Sequence, residues 1–383
     1  MRSDLIAEID LARLAHNLSV LRRGVRPGMP ICAALKADAY GHGAAIVAPA
    51  LHALGVEMAA TATPGEAVEL RAVGWSRPIL VFGNVVAVSD AAERRARIEA
   101  AIDHRLTLTL VDDLRLDELA AAAAARRTTI DVHLKIDTGL GRQGAMPPDV
   151  PGLLDRLAAQ SSVRLAGVYT HFGSADLTDR DFAARQLAAF TGLLEQCAPR
   201  LAPGVLRHAA NTAATLEWPD AHLDLVRPGI GFYGYPPSDA FGRRHDLRPA
   251  LRLVSHLSHV KLLPPGHCVG YGQTFTTRRP TRLGIIPAGY ADGLLRALSN
   301  RGVVGCRGGD APIIGRISMD QLAVDLTDLP HVSTGDPVVL IDERPERPNS
   351  VESLARLLGT IPYEIVCLLG ERIDRVGVQR FDA

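Results

Sequence analysis

The sequence predicts an α/β chain in two parts: a (β/α)8 TIM-type barrel followed by a mainly β C-terminal domain. Two observations lead there. From about residue 30 to residue 235, eight short apolar runs alternate with longer segments of helical period, and strict alternation of strand and helix implies a parallel sheet. After about residue 240 the chain turns to short β-like runs punctuated by Gly and Pro, the texture of a separate β domain. A length of 383 residues exceeds the usual single domain. The division expected is 1–240 for the barrel and 241–383 for the β domain, joined near 236–250 by the polar, turn-rich PPSDAFGRRHDLRP. A first short run near 5–10 is open to assignment to either part.

The eight runs are ICAAL (31–35), EMAATA (57–62), PILVFG (78–83), LTLTLV (106–111), IDVHLKI (130–136), RLAGVYTHF (164–172), VLRHAA (205–210) and LDLVRP (223–228). Between them, 112–127 opens with acidic residues and closes with arginines, as a helix dipole favours. The stretch 179–197 spaces its apolar residues three and four apart, which predicts a helix packed on a core. Eight such units in about 200 residues favour a closed barrel. An open Rossmann sheet is the alternative, weakened because no GxGxxG follows the first run. In the second part, 252–263 reads as one β run, and SVESLARLLG as a late helix.

Composition narrows the partners. With 42 basic and 42 acidic residues, no global field recruits nucleic acid or an acidic membrane surface, so a small molecule is the expected partner. Five cysteines without CxxC spacing suggest neither a disulfide framework nor a zinc site, and no metal is expected. The start MRSDLIAEIDL lacks the apolar core of a signal peptide, and no apolar run reaches transmembrane length. The expectation is a soluble, cytoplasmic protein.

In a barrel, catalytic groups sit at the C-terminal ends of the strands. Lys36 ends the first run, Lys135 lies near the end of the fifth, His171 ends the sixth, Asn211 and Thr212 follow the seventh, and Arg227 ends the eighth. Each alone reads more often as a solvated rim charge or a satisfied polar residue than as chemistry, and the remaining histidines are left at that reading. The convergence on one rim is what points to chemistry. The seventh and eighth loops, AANTAAT and RPGIGFYG, are where barrels build phosphate sites. Thr212 offers a hydroxyl there, and Gly229 would allow backbone N–H groups to approach an anion. A lysine facing a phosphate site suggests a phosphorylated carbonyl cofactor held as a Schiff base, the chemistry of pyridoxal 5′-phosphate (PLP). In the second domain GYGQTF, IPAGYADG and GRISMDQ each read equally as packing or turn.

Taken together, AEIDLARLAHNL, ALKADAYGHG, HLKIDTGLGRQG, GVYTHFGSAD, HAANTAAT, DLVRPGIGFYG, GYGQTF, GYADG, GRISMDQ and LGTIPYE closely resemble the bacterial alanine racemase family, nearly end to end and in order. The resemblance implies PLP-dependent racemisation of L- and D-alanine in a homodimer, supplying D-alanine for peptidoglycan. It implies that Lys36 carries the cofactor and is one of two acid/base groups, and that Tyr271, from the other subunit, is the second. His171 and Arg227 match partners in a line with Tyr271, Arg227 also facing the pyridine nitrogen. Tyr40, Thr212, Gly229, Ile230 and Tyr363 match phosphate-binding positions, and Asn211 belongs to the cofactor site. Arg142 matches a residue near the substrate carboxylate, and Lys135 a lysine often carbamylated in relatives, where it orients that arginine. Tyr290 and Met319 resemble groups that reach in from the second subunit to meet substrate, with Asp320 beside them.

Physical chemistry agrees with these roles. Racemisation removes a proton from one face and returns it on the other, so two bases on opposite sides are the simplest solution. Lysine and tyrosine ordinarily titrate at about 10, so each needs help from its surroundings. An arginine at the ring nitrogen cannot readily supply a proton there, which favours prompt reprotonation over transamination. Leu140, Gln143, Thr212 in place of a commoner serine, and the tail LGERIDRVGV depart from the family's pattern, which leaves substrate breadth open. The alternatives are a broader amino-acid racemase, a PLP-dependent decarboxylase or dehydratase on the same barrel, and a non-catalytic PLP-binding barrel, against which the β domain carrying Tyr271 speaks.

Overall fold

The structure, a computed structural model, describes residues 3–380. Met1, Arg2 and positions 381–383, which the limits 1 and 383 take in, lie outside the described residues. The barrel is built on seven parallel strands in sequence order: β2 (Cys32–Ala34), β3 (Met58–Thr61), β4 (Ile79–Val81), β5 (Thr107–Leu110), β6 (Ile130–Lys135), β7 (Val163–Tyr169) and β8 (Leu206–His208). β2 to β5 are wholly buried, which is why they read as continuous small apolar runs rather than alternating ones.

The eighth run closes the barrel without becoming a regular strand. On one side Cys32 donates its N–H to the Val226 carbonyl (2.8 Å) and Ala34 to that of Pro228 (3.1 Å); on the other, Asp224 donates to Arg207 (2.9 Å) and Arg227 to Ala210 (2.9 Å). Only Ile31 and Val226 form a ladder bridge. Pro228 has no N–H to extend the ladder, so the sequence-predicted strand 223–228 is corrected to an irregular extended segment.

Helices Ala44–Ala53, Pro64–Ala72, Ala91–Asp103, Leu116–Ala125, Val150–Ala158 and Asp181–Gln196 connect the strands. The helix expected over 112–127 starts only at Leu116, because Asp112 accepts the Leu114 N–H (3.0 Å) in a turn of its own.

β1 (Ile6–Asp10) lies in the sheet of the second domain, antiparallel to β9 (Leu251–His256) and parallel to β18 (Asp374–Val378). The described chain thus begins and ends in one sheet. Asp10 then opens helix Leu11–Arg23, its Oδ1 accepting the Ala12 and Arg13 N–H groups at 2.9 and 3.2 Å. The run 252–263 is two strands in different sheets, β9 and β10 (His259–Leu263), broken at Leu257 and Ser258. β14 (Val303–Cys306), β15 (Gly309–Pro312) and β17 (Pro337–Ile341) complete the six-stranded sheet. β13 (Thr281–Ile286) and β16 (Leu322–Asp325) pair with β10, and β11 (Cys268–Val269) with β12 (Phe275–Thr276). The late helix is Val351–Leu358, followed by Pro362–Cys367. Among the described residues, no helix is long and apolar enough to cross a membrane.

Candidate active site

A cavity of about 760 Å3 opens at the C-terminal ends of the barrel strands, within the size range of small-molecule sites. It brings together Lys36, Tyr40, Lys135, Arg142, His171, Asn211, Thr212, Arg227, Gly229 and Tyr363. Ile230 is fully buried behind the lining. Tyr271, Tyr290, Met319 and Asp320 are not part of this cavity. The first three expose 73, 44 and 53 % of their surface on the β domain.

Lys36 sits at the head of an uncommon turn. The strand ends at Ala34, and Ala37, Asp38, Ala39 and Tyr40 all adopt left-handed φ between 51° and 54°. The sequence reading of a strand feeding straight into a glycine turn missed this. Such a conformation costs about 1–2 kcal/mol per non-Gly residue, so it needs outside support. Glu66, in the first turn of helix Pro64–Ala72, receives the Ala37 N–H on one carboxylate oxygen (2.8 Å) and the Ala62 N–H on the other (2.7 Å). Asp38 receives the Ala44 N–H (2.6 Å). Gly41, at φ 76°, packs so closely that a Cβ there would lie 1.9 Å from the Val366 carbonyl oxygen. Burial, and then the neighbouring Arg142, lower the Lys36 amine below its ordinary range, which enlarges its neutral, basic fraction.

At the other end of the cavity, Thr212 starts the short helix Thr212–Glu217, which Asn211 caps through the Ala214 N–H (3.1 Å). Thr212 Oγ1 accepts the N–H groups of Gly229 (2.9 Å) and Gly231 (3.3 Å). Its own hydrogen is therefore left to donate to a ligand. This corrects the reason for Gly229: its N–H is already engaged and its φ of −124° is ordinary, but a Cβ would come within 2.5 Å of the Tyr40 hydroxyl. The glycine makes room for that phenol. Burial raises the Tyr40 and Tyr363 hydroxyls above the usual tyrosine range, so both stay neutral donors. An anionic phosphate fits donors of this kind.

Arg227 lies buried at the cavity floor. Its Nη2 donates to the Thr170 (2.8 Å) and Ala209 (3.2 Å) carbonyls and stands 3.5 Å from His171 Nδ1. Nη1 donates to His208 Nδ1 (2.7 Å), and His208 Nε2 meets His133 Nδ1 at 2.9 Å. A guanidinium can only donate, which assigns the His208 proton to Nε2 and directs it at His133. Burial pushes Arg227 down to about 10, leaving it charged at neutral pH. Burial and then Arg227 hold His171 well below the ordinary histidine range. His171 is a neutral link beside a charged arginine rather than a second cation.

Lys135 and Arg142 are a cationic pair at one wall. Burial first and Arg142 next lower Lys135 to about 8. Arg142 is carried on a turn gathered by Asp137, whose carboxylate accepts the N–H groups of Gly139 (2.9 Å), Gly141 (3.2 Å) and Arg142 (2.9 Å). The residues that sequence reasoning passed over are His133, His208, Tyr169 and Glu66. His133 and Lys135 are two apart on β6 and so share a face, a signal that would have placed the histidine inside the barrel. Tyr169 stacks on His208 with centroids 4.8 Å apart and lies 5.0 Å from the Arg227 guanidinium.

Opposite this interior stands the exposed part of the β domain. Tyr290 and Ala291 donate backbone N–H groups to the Ser318 (3.0 Å) and Met319 (3.1 Å) carbonyls. Arg372 bridges Asp292 (2.9 Å) and Asp320 (2.8 Å), so the GYADG and MDQ loops form one unit.

Comparison with known proteins places the chain in a family. Residues 9–237 match the alanine racemase N-terminal domain and residues 250–377 the alanine racemase C-terminal domain. The chain is 39 % identical over 376 residues to an alanine racemase of Desulfovibrio desulfuricans, covering 97 % of this chain and 98 % of the relative. It superposes on the crystal structure of alanine racemase from D-cycloserine-producing Streptomyces lavendulae with a TM-score of 0.91 at 38 % identity, covering 100 % and 99 % of the two chains. The Bacillus anthracis alanine racemase with bound L-Ala-P gives 0.90 at 30 % identity, covering 99 % and 96 %. With both domains matched, the site at the barrel mouth and relatives alike over nearly their whole length, the chain belongs to the alanine racemase family of PLP-dependent isomerases.

Proposed function

We propose that this chain racemises alanine with Lys36 of one subunit and Tyr271 of a second as its two bases. The carrying observation is the uneven placement of the two groups: a lysine held inside a cavity that ends in a cradle of neutral hydroxyls, and a tyrosine exposed on the β domain of the same chain. PLP, when bound, supplies an aldehyde that condenses with an amine and a conjugated ring that acidifies the α-proton of an amino acid. Lys36 would hold it covalently, Tyr40, Thr212 and Tyr363 would hold its phosphate, and Arg227 would meet its ring nitrogen.

The chain's own residues do the rest. Lys36, its pKa lowered, takes or returns the proton on one face of the substrate. Tyr271 of a second copy does so on the other face, beside neutral His171 and charged Arg227. Arg142 meets the substrate carboxylate. Tyr290, Met319 and Asp320 of that second copy narrow the entrance, so the working unit is a homodimer. Carbamylation of Lys135 would turn the Lys135–Arg142 repulsion into attraction and fix the arginine. The product D-alanine suits peptidoglycan synthesis in the cytoplasm, a location that the odd number of scattered cysteines favours.

Subunit complementation tests the arrangement. Lys36→Ala and Tyr271→Phe proteins are each expected to be nearly inactive. Unfolded together and refolded, half the dimers are mixed, and each mixed dimer holds one intact site, so activity should recover to about a quarter of wild type. No recovery, in a sample shown to contain mixed dimers, would place both bases in one chain and overturn the proposal.

A further inference from the structure

We infer that Arg375, on the last strand of the β domain, is a positioning residue for Lys36: it clamps the left-handed turn that aims this lysine, so each β domain sets the lysine of its own chain. The inference rests on the reading of Lys36 as the cofactor-bearing base.

Arg375 lies on β18, opposite Ala7 of β1, and is half-buried. Its Nε donates to the Gly41 carbonyl at 2.9 Å and lies 3.3 Å from Asp38 Oδ2. Nη1 donates to the Gly370 and Ile373 carbonyls, both at 3.2 Å, and Nη2 to that of Leu369 at 3.0 Å. One planar guanidinium thus ties the end of the turn to the segment that follows helix Pro362–Cys367. Its stem fills the space at Gly43, where a Cβ would lie 3.0 Å from Arg375 Cδ.

The turn has reason to need a clamp at this end. Four consecutive left-handed residues relax toward right-handed or extended conformations when released, and either would swing Lys36, which heads the turn. Glu66 holds the start of the turn through Ala37. Arg375 and Asp38 hold its end. Lysine cannot replace the arginine, because an ammonium is one point charge and cannot serve several acceptors in a fixed fork.

A plain role in stapling the domains makes different predictions, so the test compares Arg375→Lys and Arg375→Gln with Arg243→Gln. Arg243 fastens the 236–250 linker to Glu352 of the β domain (3.3 Å) and does not touch the turn. Three quantities are read on the full-length protein: kcat and KM with PLP added, the visible band of lysine-bound cofactor, and the pH profile with which Lys36 is acylated in cofactor-free protein, read by peptide mapping. Both Arg375 variants are expected to lower kcat about 10- to 100-fold with KM changed less than about threefold, to weaken the band, and to shift the Lys36 acylation profile. Arg243→Gln should lower Tm and leave all three as in wild type. Asp38→Asn, which keeps the carbonyl contacts of Arg375, should shift the profile in the same direction by less, and it stands in if the Arg375 variants fail to fold.

Unchanged kcat and acylation profile in folded Arg375 variants, an unchanged profile in Asp38→Asn where it stands in, or full rescue by lysine would overturn the clamp. If wild-type protein shows no visible band with PLP, the reading of Lys36 as cofactor base fails. The acylation profile still decides the clamp in that case.

Discussion

The barrel rim and the exposed face of the β domain solve opposite problems. At the rim, Arg227 and Thr212 are buried, and each is hydrogen-bonded within its own chain, as it must be when an unpaired buried polar group costs about 1–3 kcal/mol. Arg227 accordingly has two carbonyls and a histidine as acceptors. Tyr271 is 73 % exposed, on a single 3-10 turn between glycines. Its surroundings in one chain give it nothing to act on. The rim is therefore complete in a monomer and the face is not. Loss of a rim residue should disturb fold and chemistry together, whereas loss of a face residue should remove chemistry and leave the fold intact.

The largest effect expected is that of Lys36→Ala, which under the proposed mechanism removes both a base and the cofactor's anchor. Turnover should fall by at least about 10⁴-fold, with the visible band lost. Next comes Tyr271→Phe, with racemisation down about 10²- to 10⁴-fold and a Tm within a degree or two of wild type. Lys36 should still exchange the α-proton of one alanine enantiomer with deuterated solvent while the other exchanges slowly. Equal exchange of both enantiomers would contradict the assignment of the two groups to opposite faces. Arg227→Gln should cost both ways: about 1–3 kcal/mol of stability, from carbonyls left without a donor, and a clear loss of activity. Chemical denaturation alongside kinetics would separate this rim variant from Tyr271→Phe.

How much of this was legible in the sequence follows the same divide. Strand ends project residues in a known direction, so Lys36, Lys135, His171 and Arg227 could be placed on one rim from the positions of apolar runs alone. What failed was whatever depends on contacts between distant segments. The left-handed path of Ala37–Tyr40 has no local signature, since alanine and tyrosine have no preference for it; the turn is held by Glu66 and by the β domain. The irregular eighth strand was masked by apolar residues that satisfy either conformation. His208 was passed over because its role lies in a hydrogen bond to Arg227, 19 positions away. Tyr271, among glycines on the surface, reads as an ordinary turn. Its role came from resemblance and not from any physical signal in its surroundings.

Lys135 gives a sharper test of the rim, because its chemistry depends on pH. Its folded value of about 8 lies below that of free lysine, so the fold disfavours the proton. That penalty is present below about pH 8 and is relieved as the pH rises from there toward the ordinary lysine range. Carbon dioxide reacts with the neutral amine, so a carbamate at Lys135 should accumulate as pH is raised through about 8, read as the added mass of one carbon dioxide on the intact protein. Removing bicarbonate at neutral pH should raise KM several-fold, by roughly 1 kcal/mol of lost Arg142 orientation, and adding it back should restore the wild-type value.

The smallest effect separates the two parts of the exposed face. Arg372 ties Asp292 to Asp320 and so holds the Tyr290 and Met319 loops together, but its pair with Asp320 is exposed and contributes little to stability, and buried Asp292 keeps the Gly289 N–H (2.9 Å) as a partner without it. Arg372→Ala should therefore leave Tm nearly unchanged. Its effect should fall on the partner's site: a two- to fivefold rise in KM for alanine, about 0.4–1 kcal/mol, with kcat kept because Tyr271 lies on a different turn. In mixed dimers with Lys36→Ala the rise should appear only when Arg372→Ala lies on the chain that lacks Lys36, since in the proposed dimer that chain lends its loops to the working site. A KM change that followed the chain carrying Lys36 would mean that these loops serve their own barrel, and the division between a complete rim and an incomplete face would fail for this part of the molecule.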